Sequence, residues 1–177
     1  MQAIILAAGM GKRLGEYTKD NTKCMLEVNG IRLIDRALDH LHKLAVSRVV
    51  LVVGYKSQNV KDYVGKEFKG IPIVYVENSI YDKTNNIYSL YLAKDFLLEE
   101  DTLLLESDLI YNFDVLEKVH RDPYPNIALV DKYESWMDGT VVTIDECGKI
   151  TNFIDKSLFK YDEIKSYYKT VNIYKFS

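Results

Sequence analysis

Between residues 3 and 105, short runs of buried-type aliphatic residues alternate with segments of helical period. This alternation restricts the fold more than any other feature of the chain. Residues 3–6, 48–53, 72–76 and 102–105 read as strands. Between them, Leu33, Ile34, Ala37, Leu38 and Leu41 recur at helical spacing. Residues 57–68 read as a polar helix, and Ile87, Leu90, Tyr91, Leu97 and Leu98 fit one helix starting near Asn85. Strand and helix in alternation predict right-handed βαβ units. The expected fold is therefore α/β: a Rossmann-like, mostly parallel sheet with helices on both faces. After Asn126 the pattern changes to strands alone, over 127–130, 140–144, 150–154 and 171–176. Asp145-Glu146-Cys147-Gly148 reads as a hairpin turn, so a smaller β-rich portion is expected there. At 177 residues without a linker or repeat, the chain is expected to form one domain.

Open parallel sheets bind ligands beyond the carboxyl ends of their strands. Three polar clusters fall at such ends: residues 7–13, Gly54-Tyr55, and Glu106-Ser107-Asp108. The first is the most telling. Leu6, Ala7 and Ala8 close a strand and lead into Gly9, Gly11, Lys12 and Arg13. Glycines let backbone N–H groups approach an anion, and the two cations add formal charge. The glycines at 9, 11 and 15 match neither the G-x-G-x-x-G fingerprint nor a Walker loop. The loop is therefore either a phosphate cradle of another kind or a tight turn.

A formal net charge of −3 gives no basic excess that would argue for nucleic acid. Two cysteines make no disulfide framework, no charged leader precedes the first strand, and no apolar run reaches membrane-spanning length. The expected location is the cytoplasm.

LAAGMGKRLG at 6–15 followed by TKCMLEV at 22–28 resembles the signature of the nucleotidyltransferases that activate sugar phosphates and small head groups. Arg13 fills the family's arginine position and Lys23 its lysine position, with Thr22 where proline is usual. KTNNIYSL at 83–90, ESD at 106–108, WMDGT at 136–140 and KTVNIYKF at 169–176 extend the resemblance over nearly the whole chain. These later motifs look most like the cytidylyltransferases that act on 2-aminoethylphosphonate or phosphocholine.

The resemblance implies roles for single residues, and each has a plainer alternative. Asp108 would hold Mg²⁺, a hard ion that takes oxygen ligands and few carboxylates; otherwise it is a loop carboxylate near a helix start. Glu106 would assist or be merely solvated. Lys23 would contact phosphates, together with Lys12 and Arg13, or stand on the surface before a strand. Asn85 and Asn86 would lie beside the nucleotide, whereas Thr84 or Asn85 could simply cap the following helix. Trp136 and Asp138 would receive an ammonium group, through an aromatic face and a hydrogen-bond acceptor. Asp155 and Lys156 would hold the acceptor's phosphonate or phosphate, and Asn172 would shape the same pocket; an exposed ion pair is the alternative for Asp155 and Lys156. His40 and His42 do not share a helix face, and Cys24 has no evident His partner. The family usually supplies a second metal carboxylate from a later strand, past the segment matching 172–176. The resemblance therefore implies that residues 1–177 are a nucleotidyltransferase domain lacking its C-terminal end: either the natural protein continues, into another catalytic domain in some relatives, or the chain is truncated. A fused downstream domain or a second copy of the chain in a homo-oligomer is the expected macromolecular partner.

The expected reaction is CTP plus 2-aminoethylphosphonate giving a CMP-linked product and pyrophosphate, with Mg²⁺ as cofactor. Phosphocholine or a sugar 1-phosphate is the alternative acceptor, and a nucleotide-binding module without turnover is the non-enzymatic alternative.

Overall fold

The computed structural model describes residues 1–177, apart from the Lys156 side chain. The elements are, in order, β1 (Gln2–Ala7), β2 (Glu27–Val28), β3 (Ile31–Arg32), α1 (Leu33–Lys43), β4 (Val49–Val53), α2 (Ser57–Val64), β5 (Glu67–Phe68), β6 (Ile71–Glu77), α3 (Asn86–Leu92), α4 (Lys94–Glu99), β7 (Thr102–Glu106), α5 (Phe113–Arg121), β8 (Ile127–Lys132), β9 (Val141–Ile144), β10 (Ile150–Ile154) and β11 (Tyr167–Phe176). Short 3₁₀ turns cover Lys12–Thr18, Lys23–Met25, Lys156–Leu158 and Tyr161–Ser166. The chain divides into two compact units, residues 1–127 with 174–177, and residues 128–173.

In the first unit the strands run in the order β7-β1-β4-β6-β5. The first four are mutually parallel, with Ile5 opposite Leu105 and Leu51, and Leu51 opposite Tyr75. Their sequences explain this: six consecutive buried residues in β1 and five in β4 suit strands covered on both sides. Ile4, Leu6, Val50, Val52 and Leu104 share one face and pack with Ala93, Leu90, Phe96 and Leu97 of the α3–α4 region. Strand alternation sends Ile5, Leu51, Leu103 and Leu105 to the other face, and they too are fully buried. Each such side chain contributes roughly 1.5–3 kcal/mol. An exposed pair such as Lys69–Asp39 contributes about 0–1 kcal/mol. The sheet core, not surface charge, sets the stability. Among the described residues no helix is long and apolar enough to cross a membrane.

The second unit is β-rich and antiparallel, as expected: β9 pairs with both β10 and β11. The Asp145–Gly148 turn closes the β9–β10 hairpin, with Gly148 N donating to Asp145 O over 3.0 Å. The Phe159 ring lies 5.1 Å from Tyr133, 5.1 Å from Tyr161 and 4.9 Å from Tyr167. Of these rings only Tyr167 is fully buried, and it joins Val141, Val142 and Ile173 in the core of this small unit.

Three expected elements differ. The helix expected over 57–68 ends at Val64, because Gly65 takes φ 75° and Glu67–Phe68 turns back to pair with β6. The single helix expected from Asn85 through Leu98 breaks at Ala93, whose ψ of 11° ends α3 before α4 begins. The last strand starts at Tyr167, not Val171, because its first residues pair with β9.

Cys24 is buried beside the Thr22 hydroxyl, and burial pushes its thiol up to about 11, whereas Cys147 is exposed. At pH 8 Cys24 is thus a neutral, covered thiol and a poor nucleophile. Titration with a chromogenic disulfide reagent is expected to give one rapid equivalent, from Cys147, and the second only in denaturant. Two rapid equivalents in the native protein would contradict this placement.

Candidate functional site

The parallel strands deliver their loops to one edge, and the backbone ladder continues past the strand ends. Ser107 N donates to Leu6 O over 3.2 Å, Tyr55 N to Ala8 O over 3.1 Å, and Asn78 N to Val53 O over 2.8 Å. Chain order reverses here. β1 leads to β4 on one side, while β7 arrives on the other, which makes the carboxyl end of β1 the topological switch point. Gly54 is held at this junction. A Cβ on it would lie 2.8 Å from Tyr81 Cβ and 2.9 Å from the Ala8 carbonyl oxygen. Backbone cannot yield as a side-chain tip can, so Gly54→Ala is expected to cost about 1–3 kcal/mol. Thermal unfolding should register a fall of several degrees, and an unchanged midpoint would show that the junction is looser than this packing implies.

The glycine loop after β1 has an unusual hydrogen-bond account. The amides of Ala8, Gly9, Met10 and Gly11 donate to no acceptor among the described residues. Buried backbone N–H groups are nearly always paired; Ala8 and Gly11 are buried. Successive unpaired amides make an anion-binding concavity. Gly11 adopts φ 64°, and its carbonyl is taken up by Leu14 N at 2.8 Å and the Thr18 hydroxyl at 3.1 Å. Thr18, which the sequence reading missed, therefore fixes the loop from beneath. Leu6, Ala7 and Ala8 are buried, so what they present at this edge is backbone. Lys12 and Arg13 are exposed and make no side-chain hydrogen bond or ion pair among the described residues.

Lys23 and Asp108 meet across 85 residues of sequence: Nζ donates to Oδ2 at 2.8 Å, with the side chains 27% and 31% exposed. The lysine stem crosses Gly11 closely, since a Cβ there would lie 2.8 Å from Lys23 Cγ. The glycine loop, the lysine and the carboxylate are thus one assembly. Asn85 caps α3, its side-chain oxygen accepting from Tyr88 N at 3.4 Å. Asn86 donates to Glu106 Oε1 at 2.5 Å, a tie between α3 and the end of β7 that sequence spacing does not reveal. An open cavity of about 550 Å³ is lined by Asp82, Lys83, Thr84, Asn85 and Tyr88. Below the Asp108 loop, Tyr111 packs on His40 with ring centroids 5.2 Å apart, and burial lowers the His40 pKa and raises that of Tyr111.

The remaining predicted residues belong to the second unit. Trp136 is 79% exposed on a loop, where Tyr133 OH donates to the Met137 carbonyl at 3.1 Å. Asp138 lies on the same exposed loop. Asp155 Oδ1 accepts from Ser157 N at 2.9 Å and Ser157 Oγ at 2.7 Å, a turn-building role not foreseen. The Lys156 side chain lies outside the described residues. Asn172 sits within β11 at φ 60°, with its Oδ1 accepting from the Thr170 hydroxyl at 3.3 Å. Asparagine tolerates this left-handed conformation where most residues do not, which gives the residue a backbone reason of its own.

The sequence profile of the MobA-like NTP transferase domain matches residues 3–135. The CMP-5'-(3-aminopropyl)phosphonate synthase of Streptomyces rubellomurinus is 36% identical over 155 residues, which cover 88% of this chain and 24% of that protein. The CTP:phosphoglutamine cytidylyltransferase of Campylobacter jejuni is 32% identical over 190 aligned positions, covering all of this chain and 73% of that protein. Among solved structures, the inositol-1-phosphate CTP transferase of T. maritima superposes with a TM-score of 0.76 at 26% identity, over 99% of this chain and 70% of that one. The chain thus spans about a quarter of the first relative's length and about seven tenths of the other two.

Proposed function

We propose, from the premise that the chain belongs to the MobA-like NTP transferase family, that it transfers CMP from CTP to 2-aminoethylphosphonate and releases pyrophosphate. The observation that carries this reading is the run of unpaired amides at the switch point, beside the Lys23–Asp108 pair. Such a loop suits a polyphosphate better than any neutral ligand. Two relatives are named for CTP or a CMP product, and one for an aminoalkylphosphonate, which supports both substrates.

In this reading an acceptor oxygen attacks the α-phosphorus of CTP in line. The new P–O bond forms as the bond to pyrophosphate breaks, and the electron pair leaves on the pyrophosphate oxygen. The phosphonate is already ionised, so no protein base and no covalent enzyme intermediate are needed. Positioning and charge neutralisation carry the rate. The amides of residues 8–11, Lys12, Arg13 and Lys23 bind the triphosphate. Asn85 and Asn86 lie beside the nucleotide, and Trp136, Asp138, Asp155, Lys156 and Asn172 serve the acceptor.

The donor set fits Mg²⁺. Asp108 offers a hard carboxylate oxygen beside the glycine loop, within reach of Lys23 Nζ at 2.8 Å. That suits an ion bound by one protein carboxylate, with water and phosphate completing the shell. When bound, the ion neutralises charge on the phosphate oxygens.

The deciding experiment measures pyrophosphate release from CTP with 2-aminoethylphosphonate, phosphocholine and a sugar 1-phosphate. A clear preference for the first supports the proposal. Preference for another acceptor overturns the substrate, and CTP binding without release with any of them favours a binding module. Arg13→Lys is expected to lower kcat/KM for CTP by about tenfold, because the ammonium keeps the charge and loses the planar fork. Unchanged CTP kinetics in Arg13→Ala would reduce the loop to a turn.

A further inference from the structure

We propose that Lys23 is a tethered cation that keeps a free divalent ion off Asp108, so that the site accepts the metal only as its complex with a nucleoside triphosphate. This rests on the reading above, in which Asp108 is the metal ligand and the glycine loop takes the triphosphate. The Lys23 ammonium already occupies Asp108 Oδ2 at 2.8 Å. It is not placed there by chance of a loose side chain. Thr22 and Cys24 on either side are 1% exposed, and the lysine stem lies over Gly11, where a Cβ would come within 2.8 Å of Cγ. Backbone and stem both aim the head group at the carboxylate.

A free divalent ion arriving at Asp108 must displace this ammonium from Oδ2 or take the other carboxylate oxygen, and in either case it stands beside the positive charge of Lys23. Asp108 offers the ion one carboxylate, and the nearby Glu106 is hydrogen-bonded to Asn86. A triphosphate removes both obstacles. Its oxygens accept the three N–H donors of Lys23, and its charge screens one cation from the other. It also brings further oxygen ligands for the metal. The ammonium then passes from carboxylate to phosphate as the metal–nucleotide complex arrives. A lysine suits this exchange, being a compact charge on a flexible stem; a guanidinium fork would bind the carboxylate through two bonds and release it less readily. The device would keep Asp108 ordered between turnovers and make metal occupancy report nucleotide occupancy.

The test is binding of Mn²⁺, followed by the spin resonance of the free ion, to the wild type, Lys23→Met and Lys23→Met/Asp108→Asn, each with and without CTP. A neighbouring full charge changes a carboxylate's affinity for a proton by about ten- to a thousandfold. Removing it is therefore expected to tighten Mn²⁺ binding in the absence of CTP by at least about tenfold. The second substitution, at Asp108, should erase the gain. Lys23→Arg, which keeps the charge, should bind Mn²⁺ alone as weakly as the wild type does. Lys23→Gln serves in place of Lys23→Met if the latter fails to fold. Equal Mn²⁺ affinity in wild type and Lys23→Met, with CTP-dependent binding that still requires Asp108, would overturn this inference and leave the proposed function standing. If CTP-dependent Mn²⁺ binding is indifferent to Asp108, the metal assignment falls and the inference falls with it.

Discussion

Asp108→Asn is expected to lower the rate of pyrophosphate release by about a hundred- to a thousandfold at saturating Mg²⁺, the range seen when one preorganised electrostatic contact to a transition state is lost. The substitution keeps shape and removes charge. An amide oxygen is a much poorer ligand for a hard cation. It also gives Lys23 a neutral partner in place of an ionised one. The fold should persist, because Asp108 lies on a loop, partly exposed, and its neighbour Ser107 remains tied to the Leu6 carbonyl. The measurement is kcat across a Mg²⁺ titration, paired with the thermal midpoint. Near-normal turnover in a folded variant would sink the assignment and turn attention to Glu106.

Asp138→Asn should lower kcat/KM for 2-aminoethylphosphonate by about ten- to a hundredfold. A charge-assisted hydrogen bond to a primary ammonium contributes about 1.5–3 kcal/mol. Phosphocholine should suffer far less, since a trimethylammonium has no N–H to lose. Trp136→Ala should weaken both acceptors through loss of a cation–π face. The ring is exposed, so removing it is not expected to open a core cavity. If Asp138→Asn affects both acceptors alike, the choice of acceptor is wrong, while cytidylyl transfer is left intact.

The sheet was legible because β1, β4 and β7 are short aliphatic runs with no competing helical period, and the glycine loop because small residues between a strand and a Lys-Arg pair have few uses. What stayed hidden depends on pairing across long sequence distance. Nothing near Lys23 points to Asp108, and nothing near Asn86 points to Glu106. The four unpaired amides emerge only when every other backbone donor has been assigned. Thr18 escaped notice because a hydroxyl binding a glycine carbonyl seven residues back looks like any surface threonine. The break at Ala93 carries neither Gly nor Pro, so helical periodicity ran through it unopposed. Asn172 was expected for its side chain; that its backbone sits left-handed inside a strand has no sequence marker.

The central position of β1 also has a kinetic side. All six of its residues are buried, and its neighbours come from far along the chain: Ala3 lies opposite Val49 on one side and Leu103 on the other. Proteins are made from the amino terminus, so this apolar strand emerges before both of its neighbours and is completed only once β7 has been made. Until β7 leaves the ribosome, one edge of β1 is a row of unsatisfied amides and carbonyls beside bare aliphatic side chains. Non-local parallel pairing of this kind is slow, because loop closure precedes the reward of contact. The nascent chain therefore has a window in which its best sheet-forming segment is exposed. The same delay reaches the carboxyl end of β1: the Leu6 carbonyl gains its Ser107 partner only after residue 107 is in place, so this end of the sheet is finished well after β1 and β4 have been made.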